Sequence, residues 1–376
     1  MVRLRLLVGT SKGGFILTSD AARKQWEIQG PLFEGWEVYH LQASPSSPDR
    51  MWASLWTAWY GNVIQQSRDG GQTWQAAGNA FELEPPLHAY KALGGATQAW
   101  RFRRVWKLAP APPDPYGPDA LLAGAEDAAI FRSADGGQTW QELPGLRQHP
   151  THEHWEPGAG GLCLHTLLID PSNPRRLFAA ISAAGAFRSD DGGQTWRPIN
   201  RGLRSIHTPD PEPEAGYCVH CLAVHPARPH VLFMQKHPGV YRSDDAGESW
   251  RNVSEGLPSS FGFPIAVHAH EPDTVYVIPM KDDERHFPID GALKVWRSRD
   301  GGGTWEPLAR GLPGRHFYGN VLRGAMAVDR LDPCGVYFGT TTGELYASRD
   351  GGESWEALAS HLPRILSVEA QMVGTV

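Results

Sequence analysis

"SDDGGQTW", residues 189–196, is an octapeptide that returns along the chain with small changes. It stands as "SRDGGQTW" at 67–74, "SADGGQTW" at 133–140 and "SDDAGESW" at 243–250, then as "SRDGGGTW" at 298–305 and "SRDGGESW" at 348–355. A decayed copy, "SDAARKQW" at 19–26, keeps the serine and the tryptophan but loses the glycines. Aspartate before a glycine pair is hairpin chemistry, because the carboxylate caps the turn and glycine accepts a positive φ. The closing tryptophan is large enough to pack against a neighbouring unit. Successive tryptophans lie 48, 66, 56, 54, 55 and 50 residues apart, about the length of four short strands with their turns.

Seven such units predict an all-β fold, a seven-bladed β-propeller of four-stranded antiparallel blades forming one domain over residues 1–376. The two ends support that count. The first unit begins directly with "RLRLLVGTSKGGFILTS" (3–19) and lacks an opening strand, while the last is followed by a spare one, "RILSVEAQMV" (364–373). The C-terminal strand is therefore predicted to become the innermost strand of blade one, which removes an open edge.

The octapeptide resembles the Asp-box, or BNR repeat, of sialidases, sortilin-type receptors and a photosystem II assembly factor family. That resemblance implies a propeller whose Asp-boxes are structural turns away from the ligand face. It implies no particular function. Sialidases carry an arginine triad, a tyrosine nucleophile assisted by a glutamate, and an aspartate acid/base. Their first arginine lies in a Phe/Tyr-Arg-Ile-Pro motif that this chain lacks, so sialidase chemistry itself is not expected.

Composition narrows the function classes. The 376 residues carry a formal net charge of −6, which argues against a nucleic-acid partner because counterion release needs a basic face. Four cysteines are too few for a disulfide framework. No apolar run approaches the roughly 20 residues of a membrane-spanning helix, and the short apolar N-terminal run lacks a cleavage site. A cytoplasmic, monomeric protein with no membrane partner is the expectation.

In an antiparallel meander of strands A to D, counted from the axis outward, the D–A and B–C loops share one face. The Asp-boxes are C–D turns on the other face, beside short proline-rich A–B turns such as "DPSNPRRLF". The D–A loops are long and irregular, as in 80–106 and "LRQHPTHEHWEPGAGG" (146–161), and long irregular loops in a compact domain are usually functional. This face gathers ten of the sixteen histidines. They are His152, His154, His165 and His220 with His88, His149, His207, His237, His286 and His316.

Aligning "LCLHTLLIDPSNP" with "YCVHCLAVHPARP" places Cys163 over Cys218 and His165 over His220 on adjacent inner strands. With His152 and His154 above them, these imidazoles form a candidate transition-metal set, the alternative being histidines that hydrogen-bond in a polar channel. "PGAGG" (157–161) lacks the Lys-Ser/Thr ending of a phosphate loop, so close backbone approach at the channel mouth is its expected role. Arg104 and Arg323 are candidates to orient an anion, because guanidinium matches a carboxylate bidentately. The leading expectation is an enzyme-like pocket for a small polar or anionic ligand, with a saccharide or carboxylate foremost. His165, His220, Glu37 and Tyr318 are its candidate catalytic groups, and Arg104, Arg323, Tyr39, Trp106, His152 and His154 its candidate ligand contacts. A metal-dependent enzyme using the channel histidines and a non-enzymatic interaction scaffold are the two alternatives.

Overall fold

A computed structural model describes residues 2–374 apart from 93, 94, 118, 159 and 207. Seven four-stranded antiparallel sheets follow one another along the chain. Helix among the described residues is confined to single turns such as Pro113–Tyr116 and the 3-10 turn Pro150–His154. Blades two to seven open with the strands Glu37–Ala43, Arg104–Pro110, Leu164–Ile169, Val219–His225, Phe261–Val267 and Met326–Val328. Blade one opens with Ile365–Val373, which pairs antiparallel with Arg3–Thr10, so the chain ends close the ring as predicted.

Each Asp-box is built by the same hydrogen bonds. In the third full copy the Ser189 hydroxyl accepts the Gly193 N–H at 2.8 Å, and Asp191 accepts from the N–H groups of Gln194 and Thr195. Gly192 and Gly193 sit at φ +79° and +94°, which only glycine adopts freely. The tryptophans then reach across blade boundaries. The indole N–H groups of Trp140, Trp250 and Trp305 donate to the carbonyls of Gly78, Ile199 and Val253 in the preceding blade. These three Asp-boxes thus seat on the segment that leaves the previous blade, whereas Trp74 and Trp196 donate within their own turns, to Gly71 and Gly193.

The core lies between blade faces rather than in one central mass. Phe178 of blade four, for example, packs in one cluster with Leu232, Tyr241 and Trp250 of blade five. Burying such side chains supplies about 1.5–3 kcal/mol each, so every pair of neighbouring blades is held by apolar contact. The decayed box of blade one is compensated at the ring seam. Arg23 stands at φ +54°, and its guanidinium meets Asp329 of blade seven at 3.0 Å, with both groups buried. The Tyr337 hydroxyl donates to the same carboxylate at 2.7 Å.

Candidate functional site

The inner strands share a feature that their sequences do not announce. In blades two to five one residue of strand A is skipped in the pairing with strand B: Tyr39, Trp106, His165 and His220. Blade one skips Leu366 at the equivalent place, and blade six bulges at Phe263–Pro264. A bulge re-aims its side chain. The irregularity recurs on six of the seven inner strands and re-aims side chains at matching heights around the ring.

Four of these residues, Tyr39, Trp106, His165 and Leu366, line a cavity of about 210 Å³. Glu37, Arg323, Ser11, Arg364 and Ser367 complete much of its wall. The Tyr39 and Trp106 rings come from adjacent blades with centroids 5.2 Å apart. Arg104 stands just behind them: it lies over the rings of Tyr39 and Trp56, hydrogen-bonds the Tyr39 hydroxyl and ion-pairs with Glu126 at 3.2 Å. Glu126 also accepts the Trp106 indole N–H at 3.1 Å. Gly161 allows the loop to close on Glu126, since a Cβ there would stand 2.9 Å from its carboxylate. Ala159 of the same glycine-rich run lies outside the described residues. Burial pushes the Tyr39 hydroxyl up to about 12, against the opposing pull of Arg104, so it is a hydrogen-bond donor at neutral pH.

Three histidines bridge blades instead of facing the cavity with free nitrogens. His40 Nδ1 accepts the Leu108 N–H at 3.2 Å, which leaves its proton on Nε2, 2.9 Å from Glu369 Oε1. Lys107 pairs with the same carboxylate. Burial, reinforced by the Lys107 charge, lowers His40 to about 4. Burial works to raise Glu369, but Lys107 and then His40 outweigh it and hold the carboxyl at about 2. His165 Nε2 donates to Val219 O at 2.9 Å, and its Nδ1 accepts from the Thr166 hydroxyl. His220 Nδ1 donates to Gly262 O at 2.6 Å, turning Nε2 toward Cys218 Sγ at 3.5 Å. Burial, with the nearby Arg323 charge, holds His165 and His220 well below the usual imidazole range.

The remaining candidates lie apart from the cavity. His152 packs on His88 at 4.0 Å between ring centroids, and its Nδ1 bonds His149 O. His154 is exposed. Their loop is tied down by Trp155, which is buried between Trp100 and Phe187. Tyr318 is 65% exposed and rests against Phe287. His207 lies outside the described residues. The proposed metal set of His152, His154, His165 and His220 is therefore not assembled: both ring nitrogens of His165 are engaged, and no group of three or more His, Cys, Asp or Glu suited to a metal occurs among the described residues.

Sequence reasoning passed over His40, Lys107, Ser11 and Ser367. The signal was present in the repeat itself: "VYHL", "VWKL", "LHTL", "VHCL" and "ILSV" occupy one register on five inner strands. Of the depressions larger than this cavity, those of about 390 and 540 Å³ are lined by A–B turns of the other face, the first also by Asp-box residues. In the first, Arg297 and Arg299 already pair with Glu306 and Glu353, and the second is walled largely by proline. In the second, Arg50 pairs with Asp119, although its buried Nε and Nη2 have no hydrogen-bond partner.

Fold and repeat together define the class: the chain is a seven-bladed propeller of BNR/Asp-box repeats, and the BNR/Asp-box repeat model matches residues 187–198. Among curated relatives it is similar to a xyloglucanase of Paenibacillus sp, 25% identical over 340 residues, which are 79% of this chain and 30% of that protein. An oligoxyloglucan-reducing end-specific xyloglucanase of Emericella nidulans is 22% identical over 226 residues, 52% of this chain and 26% of its own. The chain thus spans less than a third of these relatives. Among solved structures, an ancestral GH74 enzyme superposes with a TM-score of 0.57 at 17% identity, covering 86% of this chain and 38% of its own. YCF48 bound to D1 peptide superposes at 0.51 and 15% identity, with 85% of each chain covered. At these identities the structural likeness speaks for the fold alone.

Proposed function

We propose that the channel cavity is a binding site for a small polar ligand of the saccharide class. The observation that carries this reading is the Tyr39–Trp106 wall, two aromatic rings from adjacent blades set beside Glu37 and Arg323. Aromatic faces with a few convergent polar groups suit a sugar ring, whose C–H surface is apolar and whose rim is hydroxyl. The xyloglucanase relatives favour the same ligand class. Hydrolysis has less support. Glycosidases commonly set two carboxyl groups across the scissile bond, whereas Glu37 is the one carboxylate among the described cavity-lining side chains. Glu126 is held by Arg104 and Trp106, and Glu369 by Lys107 and His40.

Isothermal titration with glucose, xylose, glucuronate and xyloglucan oligosaccharides tests the reading, with reducing-sugar release measured alongside. Binding that weakens at least tenfold in Trp106→Ala, at an unchanged unfolding midpoint, is the expected result. A native protein that binds none of these at millimolar concentration sinks it.

A further inference from the structure

The cavity contains a cation without a counter-ion. Arg23, Arg103, Arg104, Arg147, Arg242 and Arg297, all buried or half-buried, each face a carboxylate. Arg323 does not. Its guanidinium lies over the Phe263 ring at 5.4 Å, no acidic side chain pairs with it among the described residues, and its buried Nε has no hydrogen-bond partner. Ser367, on the neighbouring inner strand, is 2% exposed and its buried hydroxyl likewise lacks a partner. Both line the same cavity, where exposed Arg364 adds a second guanidinium with no ion pair among the described residues. A buried donor left unsatisfied in this way costs stability, so its persistence in two side chains on one wall points to a group supplied from outside.

The local charges agree. Lys107 is neutralised by Glu369, and Arg104 by Glu126. Arg323 and Arg364 then stand against Glu37 alone among the lining side chains, so the wall keeps a net positive charge. His165 and His220 are held neutral beside Arg323 and do not compete for an anion.

We infer that the ligand of this cavity carries an anionic oxygen group, a carboxylate or a phosphate, seated on the Arg323 guanidinium and the Ser367 hydroxyl with Arg364 at the rim. This rests on the cavity being a ligand site, and narrows a saccharide to an acidic one. Guanidinium offers two parallel N–H donors to such a group, and the serine hydroxyl a third.

The test compares matched ligands at constant ionic strength on the full chain: methyl glucoside, glucuronate and glucose 6-phosphate, with acetate and inorganic phosphate as bare anions. The acidic sugars are expected to bind at least tenfold more tightly than the neutral one, and whichever of glucuronate and glucose 6-phosphate leads identifies the anion. Arg323→Gln and Ser367→Ala should erase that preference, while Arg323→Lys, which keeps the charge and loses the fork, should retain part of it. Arg364→Gln, at an exposed position, should reduce the preference without affecting folding. Equal binding of acidic and neutral sugars, or a preference that survives Arg323→Gln, overturns the inference and leaves the saccharide site standing. Anion binding that depends on Arg323, with no sugar bound more tightly than its bare anion, upholds the anion seat and overturns the saccharide reading. No binding by any anionic probe overturns the seat outright.

Discussion

His165 donates its Nε2 proton to the backbone carbonyl of Val219, 2.9 Å away in the next blade. His220 repeats the relationship one blade further on, donating from Nδ1 to Gly262 O. These imidazoles act as struts between inner strands. Replacing His165 with alanine leaves the Val219 carbonyl without its side-chain donor and the Thr166 hydroxyl without its acceptor, so a loss of about 1–3 kcal/mol is expected in urea unfolding. Added zinc should not restore it.

The His40–Glu369–Lys107 cluster makes stability depend on pH. His40 titrates near 6.5 when unfolded and near 4 when folded, so its contribution is complete above pH 6.5 and is lost as pH falls toward 4. The full effect is on the order of 3 kcal/mol. Glu369, held at about 2, adds a loss that begins near pH 4.5 and continues below it. His40→Gln should therefore cost most at pH 7 and least near pH 4.5, as read from unfolding curves across that range. A cost independent of pH would contradict the cluster's assigned charges.

Arg23 and Asp329 close the ring between blades one and seven, where the Asp-box has decayed. Breaking a buried ion pair by removing one partner leaves an uncompensated charge and costs about 3–5 kcal/mol. Asp329→Ala should fall in that range by chemical denaturation, more than any single Asp-box aspartate removed to alanine.

The Asp-box itself makes a smaller demand. Asp191→Ala removes bonds from two backbone N–H groups and from the Ser189 and Thr195 hydroxyls in an exposed turn, for an expected cost of about 1–2 kcal/mol. Gly311→Ala should cost at least as much, because Gly311 sits at φ +94° and a Cβ there would lie 2.0 Å from Trp355 O. Scanning calorimetry of the two variants checks both values. Ligand binding should be unchanged in each, since neither position lines the cavity.

The blade number was legible because the Asp-box is a local device: six or seven hydrogen-bonding groups within eight residues define a turn wherever they occur. The closing strand was legible because an unpaired edge must find a partner. Glu37, Tyr39, Trp106, His165 and Arg323 were placed on the cavity by the same frame. It assigned His152, His154 and Tyr318 to the pocket as well, but they lie apart from the cavity, because loop position says which face a residue occupies but not which neighbour it packs on. Trp155 illustrates this: its burial between Trp100 and Phe187 draws the histidine-rich loop onto the blade surface and away from the channel axis.

By itself the sequence determined the repeat, the number of blades, the closure of the ring and the face that carries polar and aromatic groups. Each follows from short-range chemistry multiplied by periodicity. The tertiary structure decided which charges are spent and which remain. Lys107 and Glu369, 262 positions apart, cancel one another across blades, while Arg104 and Glu126 cancel between adjacent strands of blade three. Arg323 finds no such partner among the described residues. Pairing of that kind depends on distances of a few ångströms between strands brought together by folding, and it sets what the cavity can hold.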